Sequence, residues 1–192
     1  MKPESSRQLT DEEELLYEIQ TGYETGNGIF YKSVDDRTSP ERSGERYDSI
    51  EDEFRNLARL NAVAPEFFVT PLNMTFDEDG NPDGYFMEQA PGHELNDYTN
   101  TFSSSVSKNR DPEELDTEFI IEQAEYLENI MNLYGESHGD LHPRNLRVNP
   151  ENSRIKGYDP VGYDPKTAGT EEARETDRER IDEWINDLEA AS

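Results

Sequence analysis

"SHGDLHPRNL", residues 137–146, sets Asp140 between two histidines, His138 and His142, with Asn145 five positions after that aspartate. The stretch admits two chemistries. His138 and His142 stand four apart, the spacing that aligns two imidazoles on one helix face for zinc. Gly139 and Pro143 oppose a regular helix here. A hydrolytic zinc site also calls for about three protein ligands. The chain has three histidines and no cysteine, and the third histidine, His93, falls in an isolated turn of the sequence. The second chemistry rests on Asp140 and Asn145. Phosphoryl transfer needs a carboxylate to orient and deprotonate an attacking hydroxyl, cations on the phosphates, and oxygen ligands for Mg²⁺.

The flanks of the stretch favour the second chemistry. Upstream, "EELDTEFIIEQAEYLENIMNLYGE" reads as the longest helix, with Ile120, Ala124, Leu127, Ile130, Met131 and Tyr134 on its apolar face. Downstream, "NLRV" and "RIKGYD" flank the turn-rich "NPENS" and read as a hairpin whose second strand is closed by Asp159. A loop in which Asp140 and Asn145 merely cap backbone groups is the bland alternative. What separates the two is position: a long apolar helix before the loop, and a hairpin ending in a carboxylate after it. "GYDP" occurs at 157–160 and again at 162–165, so Asp164 rivals Asp159, but it lies beyond Gly162 and off the strand end.

Towards the N-terminus, residues 1–10 read as a solvated arm, and "TDEEELLYEI" as a short helix capped by Thr10. "GNGIFYKSV" is a strand entered from a glycine-rich turn, with Lys32 alternating with Phe30 and Val34 on one face. "SIEDEFRNLARLN", residues 49–61, is an amphipathic helix capped by Ser49, with Ile50, Phe54, Leu57 and Leu60 along one stripe. "PEFFVTPLNMTF" and "GYFMEQA" are strands joined through "DEDGNPDG". "PGHEL" then turns into a polar, mobile-looking loop, "NDYTNTFSSSVSKNRDP". The acidic "EEARETDRERIDEWINDLEAAS" closes the chain as a helix with Ile181, Trp184, Ile185 and Leu188 on one face. Strands and a helix first, then mostly helix with one hairpin, is an α+β order.

Composition narrows the function classes. Asp+Glu number 45 against 18 Lys+Arg, a net charge of −27 over 192 residues, and only five of the basic residues are lysines. The acid runs from end to end, which fits a protein adapted to multimolar salt, where screening is complete within about 3 Å. An acidic decoy or nucleic-acid mimic for a basic partner is the competing reading. Direct nucleic-acid binding is not expected, because no basic stripe exists to neutralise phosphates. No run of eighteen apolar residues and no apolar leader segment occurs, so the expectation is a soluble, cytoplasmic protein with no membrane partner.

With these residues in view, "HGDLHPRNLRV…IKGYDPVGY" resembles the catalytic loop and metal-binding segment of the protein-kinase-like fold. The likeness is to its atypical branches, such as aminoglycoside and choline phosphotransferases and related small kinases with an HGDLHP motif. That resemblance implies a two-lobed α+β fold with a small β-rich N-lobe, residues 1–88, and a truncated helical C-lobe, residues 89–192. The C-lobe would carry the long helix, the catalytic loop 138–145, the hairpin 146–159 and the C-terminal helix.

The resemblance implies roles as well. Asp140 would be the catalytic base, with Asn145 and Asp159 holding Mg²⁺. Lys32 would hold the ATP phosphates, and Glu53, on a helix resembling αC, would orient Lys32, with Glu51 its competitor. Met87 would be the gatekeeper, and the Glu88 and Ala90 backbones would meet adenine. His138 would brace the loop, and His142 would neighbour the acceptor or simply pack. The cofactors implied are ATP and Mg²⁺, and the acceptor a hydroxyl of a protein Ser/Thr or a small molecule.

Asp159 begins Asp-Pro-Val where typical kinases have Asp-Phe-Gly. Two further departures favour a catalytically weak, pseudokinase-like binding module: Gly22, Gly26 and Gly28 lie too close to Lys32 to form a separate phosphate-covering loop, and only 33 residues follow Asp159, too few for the full set of helices of a typical kinase C-lobe.

Overall fold

The computed structural model describes residues 28–33, 50–99, 110–160 and 169–191. Within them the fold is mixed α+β, with four α-helices and two small antiparallel sheets. The first sheet comprises β1 (Ile29–Ser33), β2 (Pro71–Phe76) and β3 (Pro82–Glu88) in the order β1-β3-β2. Directly opposed residues of an antiparallel pair share a face. The register sets Lys32 against Tyr85 and Phe30 against Met87, so these four side chains line one face. Tyr31 and Phe86 pack on the other, their rings 4.9 Å apart.

Helix α1 (Ile50–Val63) crosses the first of these faces and buries Ile50, Leu57 and Leu60. It begins one residue after Ser49 and continues two past the expected end at 61; the expected Ser49 cap lies outside the described residues, as do Thr10, Gly22, Gly26, Val34, Gly162 and Asp164. The run 65–70, expected as the first half of a strand, instead forms turns and a single bridge. Phe68 bridges Gly157, the Val69 N–H donates to the Gly157 carbonyl at 3.1 Å, and the Gly157 N–H donates to the Phe67 carbonyl. Tertiary pairing has overridden the apolar run, tying the chain before β2 to the distant hairpin.

The second sheet is β4 (His93–Glu94), β5 (Leu146–Asn149) and β6 (Arg154–Gly157), in that order. His93 therefore pairs with Val148 in a ladder and does not sit in an isolated turn. The polar loop expected after it starts with a helical turn, α2 (Asn96–Thr99), which buries Asn96, Tyr98 and Thr99; residues 100–109 lie outside the described part.

Helix α3 (Thr117–Tyr134) starts at Asp116, which accepts the Phe119 N–H at 3.0 Å, and stops at Gly135 in the left-handed conformation (φ 69°). Its buried face is Ile120, Ala124, Leu127 and Met131, with Ile130 half-buried. Tyr134, expected on that face, is exposed, because the last turn runs past the core. Helix α4 (Glu171–Ala191) packs against α3 and α2 through buried Ile181, Trp184 and Leu188. One apolar cluster runs from Ile50 through Leu188. Among the described residues no helix is long and apolar enough to cross a membrane.

Two positions test the packing. At Gly92 (φ 84°) a Cβ would lie 1.9 Å from the Val148 carbonyl oxygen. Gly92→Ala is therefore expected to lower the unfolding free energy by about 2 kcal/mol or more. Trp184→Ala should cost about 3–5 kcal/mol, since a fully buried indole is lost. Both are read from denaturant midpoints at fixed salt.

Candidate functional site

Lys32 and Glu53 come together because β1 and α1 face one another across the sheet. Lys32 Nζ lies 2.6 Å from Glu53 Oε1, and the hydroxyl of Tyr85, the cross-strand partner of Lys32, donates to the same oxygen at 2.5 Å. Glu53 is buried. A buried carboxylate needs an opposite charge and hydrogen bonds to offset its lost hydration, and Lys32 and Tyr85 supply both. Glu51, the alternative on the same helix, pairs with Arg55 at the surface. Tyr85 had no role in the sequence reading, where it was one more aromatic in a strand.

Lys32 also forms an ion pair with Asp159. Asp159 lies two residues beyond β6 and not at its end, and it takes a positive φ of 62°. That left-handed backbone is uncommon for an aspartate and re-aims the chain as it leaves the strand. The Phe67–Val69 pairing with Gly157 fixes where the strand ends, which delivers Asp159 next to Lys32.

The 137–145 loop is built on backbone contacts. Pro143–Asn145 form a single 3₁₀ turn opened by extended His142, with proline at its first position. The turn brings Asn145 back to Asp140. Asn145 Nδ2 donates to the Asp140 carbonyl at 2.9 Å, to Asp140 Oδ2 at 3.1 Å and to the Asp159 carbonyl at 3.5 Å. Because the amide nitrogen is committed to these contacts, its oxygen is the atom left for a further partner. Burial alone would raise the Asp140 carboxyl, but hydrogen bonding from His142 and Asn145 and the neighbouring imidazoles outweigh it and hold the group below the usual carboxylate value. Helix α1 helps to seat the loop: Arg59 grips Glu136 with two hydrogen bonds, 2.6 and 3.2 Å, and Asn56 donates to the Ser137 carbonyl at 3.4 Å.

His138 is fully buried, stacks on Phe68 and donates its Nε2–H to the Tyr158 carbonyl at 2.9 Å. Burial pushes its pKa down to about 4, only partly offset by that hydrogen bond, so the ring is neutral near pH 7. This is the bracing role expected of it.

A second residue that sequence reasoning missed is Asp177, on α4. Its carboxylate accepts the His138 N–H at 2.6 Å and the Gly139 N–H at 2.9 Å, so the last helix holds the loop by its backbone. A signal was present. Asp177 lies four before Ile181 and seven before Trp184, one acid on an otherwise apolar stripe, hidden among many glutamates. Burial raises its pKa to about 6, against the lowering effect of the backbone donors.

Beside the Lys32 cluster lies a cleft of about 310 Å³. Phe30, Val69, Met87 and Ala90 form its apolar walls, the Glu88–Ala90 segment one edge, and Glu94, Arg147 and Tyr158 its polar end. The Glu88 side chain turns away from this role: its Oε2 accepts from the Thr70 N–H and hydroxyl, each at 3.1 Å. The Glu88 N–H is spent as well, on the Thr70 carbonyl at 2.8 Å, so the residue's backbone carbonyl is the group left for a ligand. Lys32, Glu53, Asp140, Asn145 and Asp159 converge; Glu88 and Ala90 border the adjoining cleft. No protein-family model matches the chain, and no curated protein is similar enough to count as its relative.

His138 and Asp177 make opposing contributions to stability. His138, lowered from 6.5 to about 4, binds fewer protons folded than unfolded, so its contribution is present above pH 6.5 and lost on acidification towards 4. Asp177, raised from 3.8 to about 6, binds more protons folded, so its contribution is present below pH 3.8 and lost as pH rises through 6. The two slopes nearly cancel in the native chain. Asp177→Asn should expose the His138 slope, with stability falling relative to wild type by up to about 1.4 kcal/mol per pH unit on acidification below 6.5. His138→Gln should show the opposite tilt. Denaturant unfolding between pH 4 and 7 reads both; parallel curves for all three proteins would rule the coupling out.

Proposed function

We propose that the chain is an ATP- and Mg²⁺-dependent phosphotransferase of the protein-kinase-like superfamily, moving the γ-phosphoryl to a hydroxyl of a protein Ser/Thr or a small molecule. The observation that carries the reading is the shared cation: Lys32 is ion-paired to both Glu53 and Asp159, with Asn145 bridging Asp140 to the Asp159 backbone. Four separate chain segments meet at one point beside a cleft with apolar walls and a polar end. A purely structural ion pair does not require the last of these, a half-exposed carboxylate on a left-handed backbone.

In this reading the base lies between Phe30, Met87 and Ala90, against the backbone of Glu88 and Ala90. Lys32, held by Glu53 and Tyr85, directs its ammonium at phosphate oxygens. Asp140 accepts the proton of the acceptor hydroxyl as its oxygen bonds to the γ-phosphorus and the bond to the β,γ-bridging oxygen breaks, leaving ADP. The Asn145 amide oxygen and the Asp159 carboxylate are hard oxygen donors of the kind Mg²⁺ takes, and they would hold it. The metal, when bound, supplies charge neutralisation on the phosphates. The depressed Asp140 pKa keeps the base ionised near neutral pH.

A second reading is a nucleotide-binding module without useful turnover. It is favoured by the glycine spacing: Gly22, Gly26 and Gly28 lie too close to Lys32 for a separate phosphate-covering loop, and the Gly28 carbonyl, next to β1, accepts the Gln89 N–H at 2.6 Å. An acidic decoy for a basic partner gives no reason for the convergence of Lys32, Glu53 and Asp159.

In high KCl, chosen because of the net charge of −27, wild type should bind ATP·Mg²⁺ and consume it in a single turnover. Asp140→Ala should keep binding and lose turnover by about 10²- to 10⁴-fold. Asp159→Ala should lose the Mg²⁺-dependent part of binding. Absence of nucleotide binding would sink both readings, and binding with no transfer to any acceptor, water included, would favour the module.

A further inference from the structure

His142 has geometry that the proposed chemistry has not yet used. Its Nδ1 accepts the Arg144 backbone N–H at 3.1 Å, which closes the 3₁₀ turn. A ring nitrogen that accepts a hydrogen bond presents its lone pair, so the neutral imidazole carries its proton on Nε2. That Nε2 lies 3.4 Å from Asp140 Oδ2. Asn145 Nδ2 approaches the same oxygen at 3.1 Å. Two donors thus converge on one carboxylate oxygen, and both are set by the single turn 143–145.

We propose that His142 is a positioning residue for Asp140: its Nε2–H and the Asn145 amide together hold Oδ2, leaving Oδ1 as the oxygen that takes the acceptor's proton. The inference rests on the phosphotransfer reading for its catalytic meaning, but the hydrogen bond stands apart from it. A carboxylate free to rotate would offer either oxygen in changing directions. Pinned at one oxygen, it is preorganised, and small errors of placement are costly in a transfer that depends on alignment. The same geometry argues against a metal role for His142, since its lone pair is taken by the Arg144 amide and its proton points at Asp140.

Two measurements on the full chain in high KCl test this and keep its failure separate from failure of the phosphotransfer reading. Long-range ¹H–¹⁵N correlation spectra near neutral pH should show His142, identified by the signal missing from His142→Gln, as the Nε2–H tautomer. The Nε2 signal should shift in Asp140→Ala. An Nδ1–H tautomer, an averaged pair of tautomers, or no response to Asp140→Ala overturns the hydrogen bond, whether or not the chain transfers phosphoryl.

In the kinetic arm, His142→Ala should lower kcat roughly tenfold to a hundredfold with the KM for ATP little changed. His142→Gln, whose amide N–H reaches the place of Nε2, should recover activity to within about threefold of wild type. Equal losses in both variants, or a rise in KM at constant kcat, overturns the positioning role. An inactive wild type would sink the phosphotransfer reading and the catalytic half of this inference, while the spectra decide the hydrogen bond.

Discussion

The structure depends on one buried ion pair. Removing an ammonium and a carboxylate from water costs several kcal/mol for each ion, so Lys32 and Glu53 are tolerable only where geometry is good and remaining valences are met. The fold meets these terms with residues from separate elements: Lys32 from β1, Glu53 from α1, Tyr85 from β3 and Asp159 from the turn after β6. The sheet register and the packing angle of α1 are thereby tied to the same few ångströms. Any shift of α1 along the sheet would strand a charge in the core, which makes the pair a specificity device.

The second constraint is the way the 137–145 loop is held. Its backbone N–H groups cannot join a ladder, and the fold answers with a carboxylate from another helix. Asp177 reaches across from α4 to accept from His138 and Gly139, while His138 reaches the Tyr158 carbonyl beside Asp159. The loop is therefore clamped from both sides, by α4 on its backbone and by the hairpin exit through His138. An asparagine at 177 would turn one of its two acceptors into a donor facing backbone N–H groups. The elevated pKa of Asp177 is the electrostatic cost of that clamp, and the depressed pKa of buried His138 nearly offsets its effect on the pH dependence of stability.

Much of this was legible in the sequence where one physical rule dominates. The stripes in 49–61 and in the two later helices are long and periodic, and each became a helix, although the run expected as the longest is helical only over Thr117–Tyr134, 18 residues against the 21 of α4, because Asp116 and Gly135 cap it at both ends. Turn chemistry in "NPENS" announced the hairpin. Glu53 could be preferred to Glu51 because it sits nearer the apolar stripe that must face the sheet, and its contact with Lys32 follows from that. The failures have a common cause. The run "EFFVT" is apolar enough for a strand, yet Phe67 and Val69 spend backbone groups on Gly157; "GHEL" and "NDYT" look like loop, yet they fold as β4 and α2 because β5 offers an edge and α4 a surface. In each case a distant partner decided, and pattern within a short window carries no information about partners.

By itself the sequence determined the order and kind of the longer elements, the α+β class, and a short list of polar residues whose types and spacing suit phosphoryl transfer. Those are local matters, set by periodicity, by capping and by the functional groups that each residue carries. Only the tertiary structure decided that Lys32 meets Glu53 and Asp159 together, and that Tyr85 and Asp177 belong to the same construction. Those contacts join residues far apart along the chain, and they exist because burial must satisfy every charge and hydrogen-bonding group at once. That condition is settled across the whole core, not within a segment.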